Sequence, residues 1–277
     1  MTGDGGMSRL PLNALLGVLL ILLLLVAAGL GSFWTPYDPL KIDFPARLAA
    51  PGGAHWLGTD EFGRDVLSRL MAGAATSVRI CVLTVAFALI AGTAIGVFTG
   101  FVRGWSDRIV MAFVNALLAF PGILLALALL TVVGANAYGI VLALGFAYTP
   151  SVARVVRGTV LSLREKEYIE AARVMGNSEL FIMARHVLPN CLAPLIVLGT
   201  SMFGWVLLAE SALSFLGLGV PPPAPTWGNM LASGRPYLAQ AAWLGLYPGL
   251  CIALTLLGIN LLGDLLRDRF DPRMRGL

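Results

Sequence analysis

Charged residues are what this chain has least of. They make up 12% of its 277 residues, whereas hydrophobic residues make up 58%, and the mean hydropathy is +0.84. A soluble globular domain carries about 25% charged residues. The composition therefore excludes an ordinary soluble domain and predicts an all-α integral membrane protein, whose helices satisfy their own backbone hydrogen bonds in lipid.

Lysine and histidine are also scarce, which limits the chemistry available to the chain. The only lysines, Lys41 and Lys166, do not follow glycine, so the GxxxxGK[ST] phosphate-binding loop is missing. The only histidines are His55 and His186, HExxH is absent, and three widely spaced cysteines form no metal-binding pattern. We expect no catalytic site, no ATP hydrolysis, and no cofactor or metal held by this chain.

Six apolar runs predict six transmembrane helices, since a bilayer requires about 20 residues per helix. For the first run a cleavable signal peptide is the alternative, although this run exceeds the usual signal core of about 7 to 15 residues. The division is an N-terminal helix with an extracytoplasmic segment, 1–77, and a five-helix core, 78–277. The runs are Leu10–Leu30, Val78–Phe101, Ile109–Val133, Tyr138–Val156, Ala193–Leu218 and Ala242–Leu266.

The basic residues favour one orientation. With the N-terminus inside, 13 of the 19 Lys and Arg residues fall on the cytoplasmic side, as the positive-inside rule requires. This accounts for the net charge of +4 without nucleic acid, for which no recognisable binding motif is present. We expect both termini in the cytoplasm.

The extracytoplasmic segment carries HWLGTDEFGRDVLSRLMAGA at 55–74. Its acidic residues could be mistaken for a catalytic pair, but an amphipathic surface helix starting near Thr59 is the better interpretation. Arg69 and Arg79 would then reach the lipid headgroups. Trp227, Tyr237 and other aromatic residues are expected at the membrane interface.

Glycine and proline mark special points in the spans. Gly92, Gly96 and Gly100 recur every four residues and predict a close helix contact. Pro121 and Pro150 predict kinks in the third and fourth spans.

The longest polar stretch between apolar runs is 162–190, with eight of the chain's 34 charged residues. Ser162 and Glu165 form a capping box, which predicts a helix start. Gly176 predicts the end of this helix, Ser178 the cap of a second one, and Pro189 the next boundary.

An apolar stripe follows the first of these two helices at helical spacing: Tyr168, Ala171, Ala172 and Met175. A helix lying on lipid headgroups is one interpretation. The other is a docking site for a soluble partner.

The same stretch resembles a known motif. Glu170-Ala171-Ala172, then Gly176, then Leu188-Pro189 have the spacing of the EAA loop of ABC-importer permeases, with His186 in place of the usual Ile. The stretches 55–74, 214–231 and 260–275 resemble the second permease subunit of the dipeptide, oligopeptide and nickel importers.

This resemblance implies the type I permease fold, with a cytoplasmic coupling helix that docks on an ATPase. It implies two cytoplasmic ATPase subunits that bind ATP and Mg, a homologous permease, an extracytoplasmic binding protein, and a path for peptides across the bacterial inner membrane; nickel or another small solute is the alternative. The residues expected to couple are Glu165, Tyr168, Glu170, Ala171, Ala172, Met175, Gly176, Leu188 and Pro189.

Polar residues within the spans are the candidates for the translocation path or a permease interface. Glu210 is the one acid well inside an apolar run, so it must face protein or water. Asn115 and Asn260 are weaker candidates. An ion-coupled secondary transporter, the competing class, would need more such groups and an internal repeat.

Overall fold

The computed structural model describes residues 12–270, and helices dominate this part of the chain. The prediction that Leu10 begins the first span, and the basic tail beyond Phe270, lie outside the described residues. The helices are α1 (Leu12–Phe33), α2 (Val66–Val102), α3 (Gly104–Leu118), α4 (Gly122–Val133), α5 (Ala137–Arg164), α6 (Glu167–Val174), α7 (Glu179–Ile182), α8 (Leu188–Phe215), α9 (Trp227–Gly234) and α10 (Trp243–Phe270).

Within the described residues, five helical segments are long and apolar enough to cross a bilayer, and α3 with α4 supplies a sixth if the pair counts as one span. The two helices of this pair meet at 95°. The third span was predicted to be kinked at Pro121, and the chain turns there far more sharply than a kink. Pro121 has no N–H to continue α3 and instead precedes the first residue of α4.

Helix α2 begins later and runs further than the sequence predicted. Asp65 caps it by accepting a hydrogen bond from the Ser68 backbone N–H at 2.8 Å, and the helix then continues without a break to Val102. The prediction of a surface helix starting near Thr59 was wrong. The predicted division of the chain after residue 77 falls inside α2. Arg69, expected at the headgroups, is buried instead.

The most extensive helix packing joins α2 to α5. A Cβ atom built on Gly96 would lie 2.6 Å from the Ala153 carbonyl oxygen, and one on Gly100 would lie 2.9 Å from the Val160 Cβ. Both distances are far below van der Waals contact. The glycine-mediated contact predicted from the sequence is confirmed, and it allows the two backbones to approach closely.

The remaining spans pack around this pair. Helix α1 contacts α10, where a Cβ on Gly17 would lie 2.7 Å from that of Leu261. Helix α8 lies between α2 and α10, against Leu89 on one side and Leu256 on the other. The buried core thus runs through the centre of the bundle and leaves the outer faces of the helices apolar and exposed.

The helix expected to start at Ser162 does not start there. Helix α5 continues through this position to Arg164, and α6 begins at Glu167 with no side-chain cap on Lys166. Packing outweighs the local capping signal, because buried Val160 contacts α2 and Arg164 donates to the Gly100 carbonyl at the end of α2 at 3.3 Å.

Candidate docking hairpin

The polar stretch between α5 and α8 forms a helical hairpin, residues 165–187, which we name the docking hairpin. It comprises α6, a corner, α7 and one wide turn of π-helix at Met183–Val187. Each part is fixed by local chemistry, so the hairpin presents a defined surface.

The corner ends α6 and positions α7. Gly176 has φ of 82°, a conformation natural to glycine. The backbone N–H groups of Gly176 and Asn177 donate to the carbonyls of Arg173 and Ala172 at 2.9 and 3.2 Å, the pattern of a Schellman motif. Ser178 then caps α7 by accepting from the Phe181 N–H at 3.3 Å. Both sequence predictions for this corner are confirmed.

One face of the hairpin is buried against its own chain. Ile169 and Ala172 of α6, Ile182 of α7 and Val187 of the π-turn are all buried. Their burial anchors the hairpin to the ends of the spans, because apolar surface removed from water stabilises by about 25 cal/mol per Å².

The opposite face of α6 is apolar and exposed. Val174 and Met175 are 84% and 80% exposed, and Tyr168 is also exposed. Of the predicted stripe, Tyr168, Ala171 and Met175 lie on this face, whereas Ala172 faces inward. The sequence analysis did not include Val174 in the apolar stripe. Its position three residues after Ala171 could have placed it on the same face of the helix.

Charged groups tie the two short helices together. The Arg173 guanidinium donates to both carboxylate oxygens of Glu179, at 2.9 and 3.4 Å, across the corner. This bidentate Arg173–Glu179 pair restricts how α6 and α7 move relative to each other.

Two other acidic residues of the hairpin region, Glu165 and Glu170, are exposed and so remain accessible to a partner.

The hairpin continues into α8 without an interruption. Helical structure runs from Glu179 to Phe215, so Pro189 is not a boundary as predicted. Pro189 is the second residue of α8, and its ring would clash with the carbonyl four residues earlier in a regular helix. The π-turn, in which the Leu188 N–H donates to the Met183 carbonyl, widens the helix just before it.

Glu210 lies on α8 and has no exposed surface. Its Oε1 accepts a hydrogen bond from the Ser214 hydroxyl at 2.9 Å, while Oε2 has no hydrogen-bond partner among residues 12–270. In the described conformation the carboxyl is enclosed by the chain itself.

The two asparagines occupy different surroundings. Asn115 is exposed on α3, and its Oδ1 accepts from the Arg154 guanidinium of α5 at 2.7 Å. Asn260 is exposed on α10. The fold does not bring Glu210, Asn115 and Asn260 into one cluster, since they lie on three different helices and only Glu210 is buried.

The family model described as "Binding-protein-dependent transport system inner membrane component" matches residues 92–276. A putative peptide transport system permease protein of Brucella suis is 43% identical over 94% of this chain and 88% of its own length. A dipeptide transport system permease of Alkalihalophilus pseudofirmus is 39% identical, covering 95% and 86%. A glutathione transport system permease of Pectobacterium atrosepticum is 39% identical, covering 93% and 86%.

The chain belongs to this family of inner membrane transport permeases. Among solved structures, an inward-facing methionine ABC transporter matches with a TM-score of 0.59 at 20% identity. The match covers 72% of the present chain and 94% of the transporter chain. An amino acid ABC transporter matches with a TM-score of 0.55 at 15% identity, covering 73% and 94%. These likenesses show the type I ABC-importer permease fold.

In this permease His186, which replaces the usual Ile of the EAA loop pattern, lies within the docking hairpin. Its ring centroid lies 6.3 Å from that of Tyr168 and 6.0 Å from that of Phe181. The histidine therefore bridges α6 and α7 through aromatic contacts, where the family pattern has an aliphatic side chain.

The segment between α1 and α2 is built on buried ion pairs. Asp60 accepts from Arg64 at 2.6 Å and lies 3.2 Å from Arg69. Burial raises the pKa of the neighbouring Glu61 carboxyl above its ordinary value, against the lowering effect of the nearby backbone N–H and the two arginines. These paired charges hold the loop in place.

Two tryptophans attach this α1–α2 segment and α2 itself to the C-terminal half of the chain. The indole N–H of Trp243 donates to the Thr59 carbonyl at 3.1 Å, and that of Trp227 donates to the Leu70 carbonyl at 3.0 Å. Trp227 is buried, so its predicted place at the membrane interface was wrong. Its large ring instead packs α9 against α2.

Proposed function

We propose that this permease and a homologous permease together form the path by which an ATP-driven importer carries di- and oligopeptides across the inner membrane. The names of the relatives support a peptide substrate, since they refer to peptides, dipeptides and glutathione, itself a tripeptide. An extracytoplasmic binding protein delivers the substrate, in keeping with the family description.

The docking hairpin is the contact for a cytoplasmic ATPase subunit. The observation that carries this proposal is the division of α6 into two faces, one buried by Ile169 and Ala172 and one exposing Val174 and Met175. Exposed apolar patches on ordered elements mark interaction sites. The chain itself has no phosphate-binding loop, so ATP and Mg bind to two separate ATPase subunits, and both permease termini lie on their side of the membrane.

The connection between hairpin and spans supplies a mechanical route. The Arg173–Glu179 pair and the corner hydrogen bonds hold α6 to α7, and α7 is continuous with α8. When the ATPases close on ATP, a displacement of α6 is passed to α8 as a rigid-body movement. The substrate path then opens to the other side.

The docking proposal is tested by placing a charge on the exposed face of α6. We expect Val174→Glu to reduce co-purification of the ATPase subunits at least tenfold, because a buried unpaired charge costs more than about 1.4 kcal/mol. Phe44→Glu is the control, since Phe44 is also apolar and exposed but belongs to the segment between α1 and α2, on the opposite side of the membrane in the proposed orientation. Unchanged ATPase binding by Val174→Glu in a folded permease would refute the docking assignment.

The substrate proposal has its own test. Mass spectrometry of the ligand carried by the cognate binding protein is expected to show short peptides. A nickel chelate in its place would refute the peptide assignment while leaving the permease and docking assignments intact. Uptake that depends on an ion gradient and not on ATP would identify a secondary transporter.

A further inference from the structure

A second surface lies where α2 ends, between that helix and the α7 part of the docking hairpin. An apolar groove of about 530 Å³ runs between the last turns of α2 and the α7–α8 segment. We name it the inner groove, and its walls include Ala94, Phe98, Phe101, Leu180, Met183 and Leu188.

The inner groove is open along the outer face of α2. Ile90, Phe98 and Val102 are exposed on that face, spaced so that they follow one side of the helix within a span long and apolar enough for a bilayer. The groove is therefore continuous with a surface suited to lipid chains, and it extends that surface to the end of the span.

Arginines gather at the end of the inner groove. The guanidinium groups of Arg103 and Arg173 lie close enough to that of Arg164 to repel it, and Glu179 offsets that repulsion. Glu179 is itself paired with Arg173 at 2.9 Å, and Asp107, which also lies near Arg103, is paired with Arg157 at 2.6 Å. Arg164 donates to the last carbonyls of α2 and lies over the Phe101 ring at 5.1 Å. Since both acids are already paired, these arginines leave an excess of positive charge.

The backbone at Arg103 adds an independent observation. Arg103 has φ of 59° and ψ of −162°, a region populated almost only by glycine. The following residue, Gly104, also has a positive φ of 71°. A long cationic side chain is thus held at a position where glycine would be the unstrained choice, and such outliers concentrate at ligand sites.

We propose that the inner groove binds a phospholipid with an anionic headgroup, whose phosphate faces Arg103 and the neighbouring arginines and whose acyl chain fills the groove. Charge complementarity selects this occupant, because arginines outnumber acidic groups at the end of the groove and the walls are apolar apart from Thr93 and Glu179, the latter paired with Arg173. The cytoplasmic leaflet is rich in anionic lipids, and basic pockets between helices on that side suit their headgroups. The proposal uses the orientation proposed above but does not depend on ATPase binding.

The test is a lipid titration of the purified, delipidated permease complex, followed by native mass spectrometry. We expect phosphatidylglycerol to bind at least fivefold more tightly than phosphatidylcholine, since each surface arginine contributes about this factor. Arg103→Gly is expected to remove the preference while leaving the unfolding midpoint unchanged or higher, because glycine relieves the strained backbone. Ala94→Trp, which fills the groove, is expected to weaken the binding of both lipids.

Arg108→Gln is the matched control. Arg108 is an exposed arginine near the start of α3, as Arg103 is, and its guanidinium lies over the Trp105 ring at 5.8 Å. The Arg108→Gln substitution is expected to leave the lipid preference intact. Equal binding of the two lipids, or an unchanged preference in Arg103→Gly, would overturn the proposal. So would competition by soluble glycerol 3-phosphate as strong as that by phosphatidylglycerol, or loss of ATPase subunits in Ala94→Trp with lipid binding unaltered.

Discussion

Glu210 shows how much a single polar residue can be constrained by the span around it. The carboxyl is fully buried and hydrogen-bonded to Ser214, one turn further along α8. A glutamine has the same shape and can accept the same hydrogen bond. We therefore expect Glu210→Gln to retain both assembly and peptide uptake, whereas Glu210→Ala loses about 1–3 kcal/mol of stability through the lost hydrogen bond and the cavity.

Uptake assays and thermal unfolding in detergent check these two variants. If Glu210→Gln abolished uptake while the complex still assembled, the carboxylate itself would be required. Glu210 would then belong to the translocation path in a conformation more open than the described one.

Residues whose conformation depends on their immediate neighbours were predictable from the sequence. Gly176 takes its positive φ and Ser178 caps α7 because these preferences act within a few residues. The inward direction of Ala172 was not predictable in the same way. It depends on where α6 meets the ends of the spans, and the apolar stripe alone does not contain that information.

At the scale of helices, the α2–α5 contact offers the sharpest test. Gly96→Val is expected to destabilise the permease by about 1–3 kcal/mol, because its Cβ would overlap the Ala153 carbonyl and force the helices apart. The measurement is the unfolding midpoint of the purified protein. Gly158→Ala on α5 is the control, since a Cβ there meets nothing within 4 Å, and a stability at least equal to wild type is expected.

A Gly96→Val variant as stable as Gly158→Ala would contradict the close packing of α2 and α5. The two substitutions both add side-chain atoms to a helical glycine. Because valine is a poorer helix former than alanine by up to about 0.7 kcal/mol, only a larger difference between the two variants reports the contact between the helices.

Helix boundaries were where sequence reasoning failed most often. The Ser162–Glu165 capping box was overridden because Val160 is buried against α2, which carries α5 on to Arg164. A surface helix was predicted to start near Thr59, but Thr59 donates to a backbone carbonyl and Asp65 instead caps α2. Both errors have one cause. Each region contained two residues able to cap a helix or end one, and contacts with distant parts of the chain decided which of them did so.

For the molecule as a whole, the orientation in the membrane is the prediction with the widest consequences. In a variant lacking the native cysteines, we expect Ala54→Cys to react with a membrane-impermeant maleimide on intact spheroplasts. Glu170→Cys should react only after permeabilisation, because the docking hairpin lies inside. Both positions are exposed, so a difference in labelling reports sidedness. Labelling of Glu170→Cys in sealed spheroplasts would invert the topology.

The overall architecture followed from composition and apolar runs, because these are properties of whole segments. What they could not reveal was the 95° meeting of α3 and α4. Pro121 indicated a disturbance of the helix, but proline is compatible with a modest kink as well as with a full break. The choice between them depends on the helices packed around the residue.

The sharp bend between α3 and α4 has a consequence for what surrounds the permease there. A helix end leaves peptide oxygens unpaired unless the turn that follows supplies donors. Here the N–H groups of Ala119 and Phe120 donate to the carbonyls of Asn115, Ala116 and Leu117, so the end of α3 is closed by its own chain. Two helices that meet at 95° cannot both stand upright in a bilayer. At least one of them is therefore steeply inclined, and this part of the molecule occupies a wider area of membrane than an upright span of the same length.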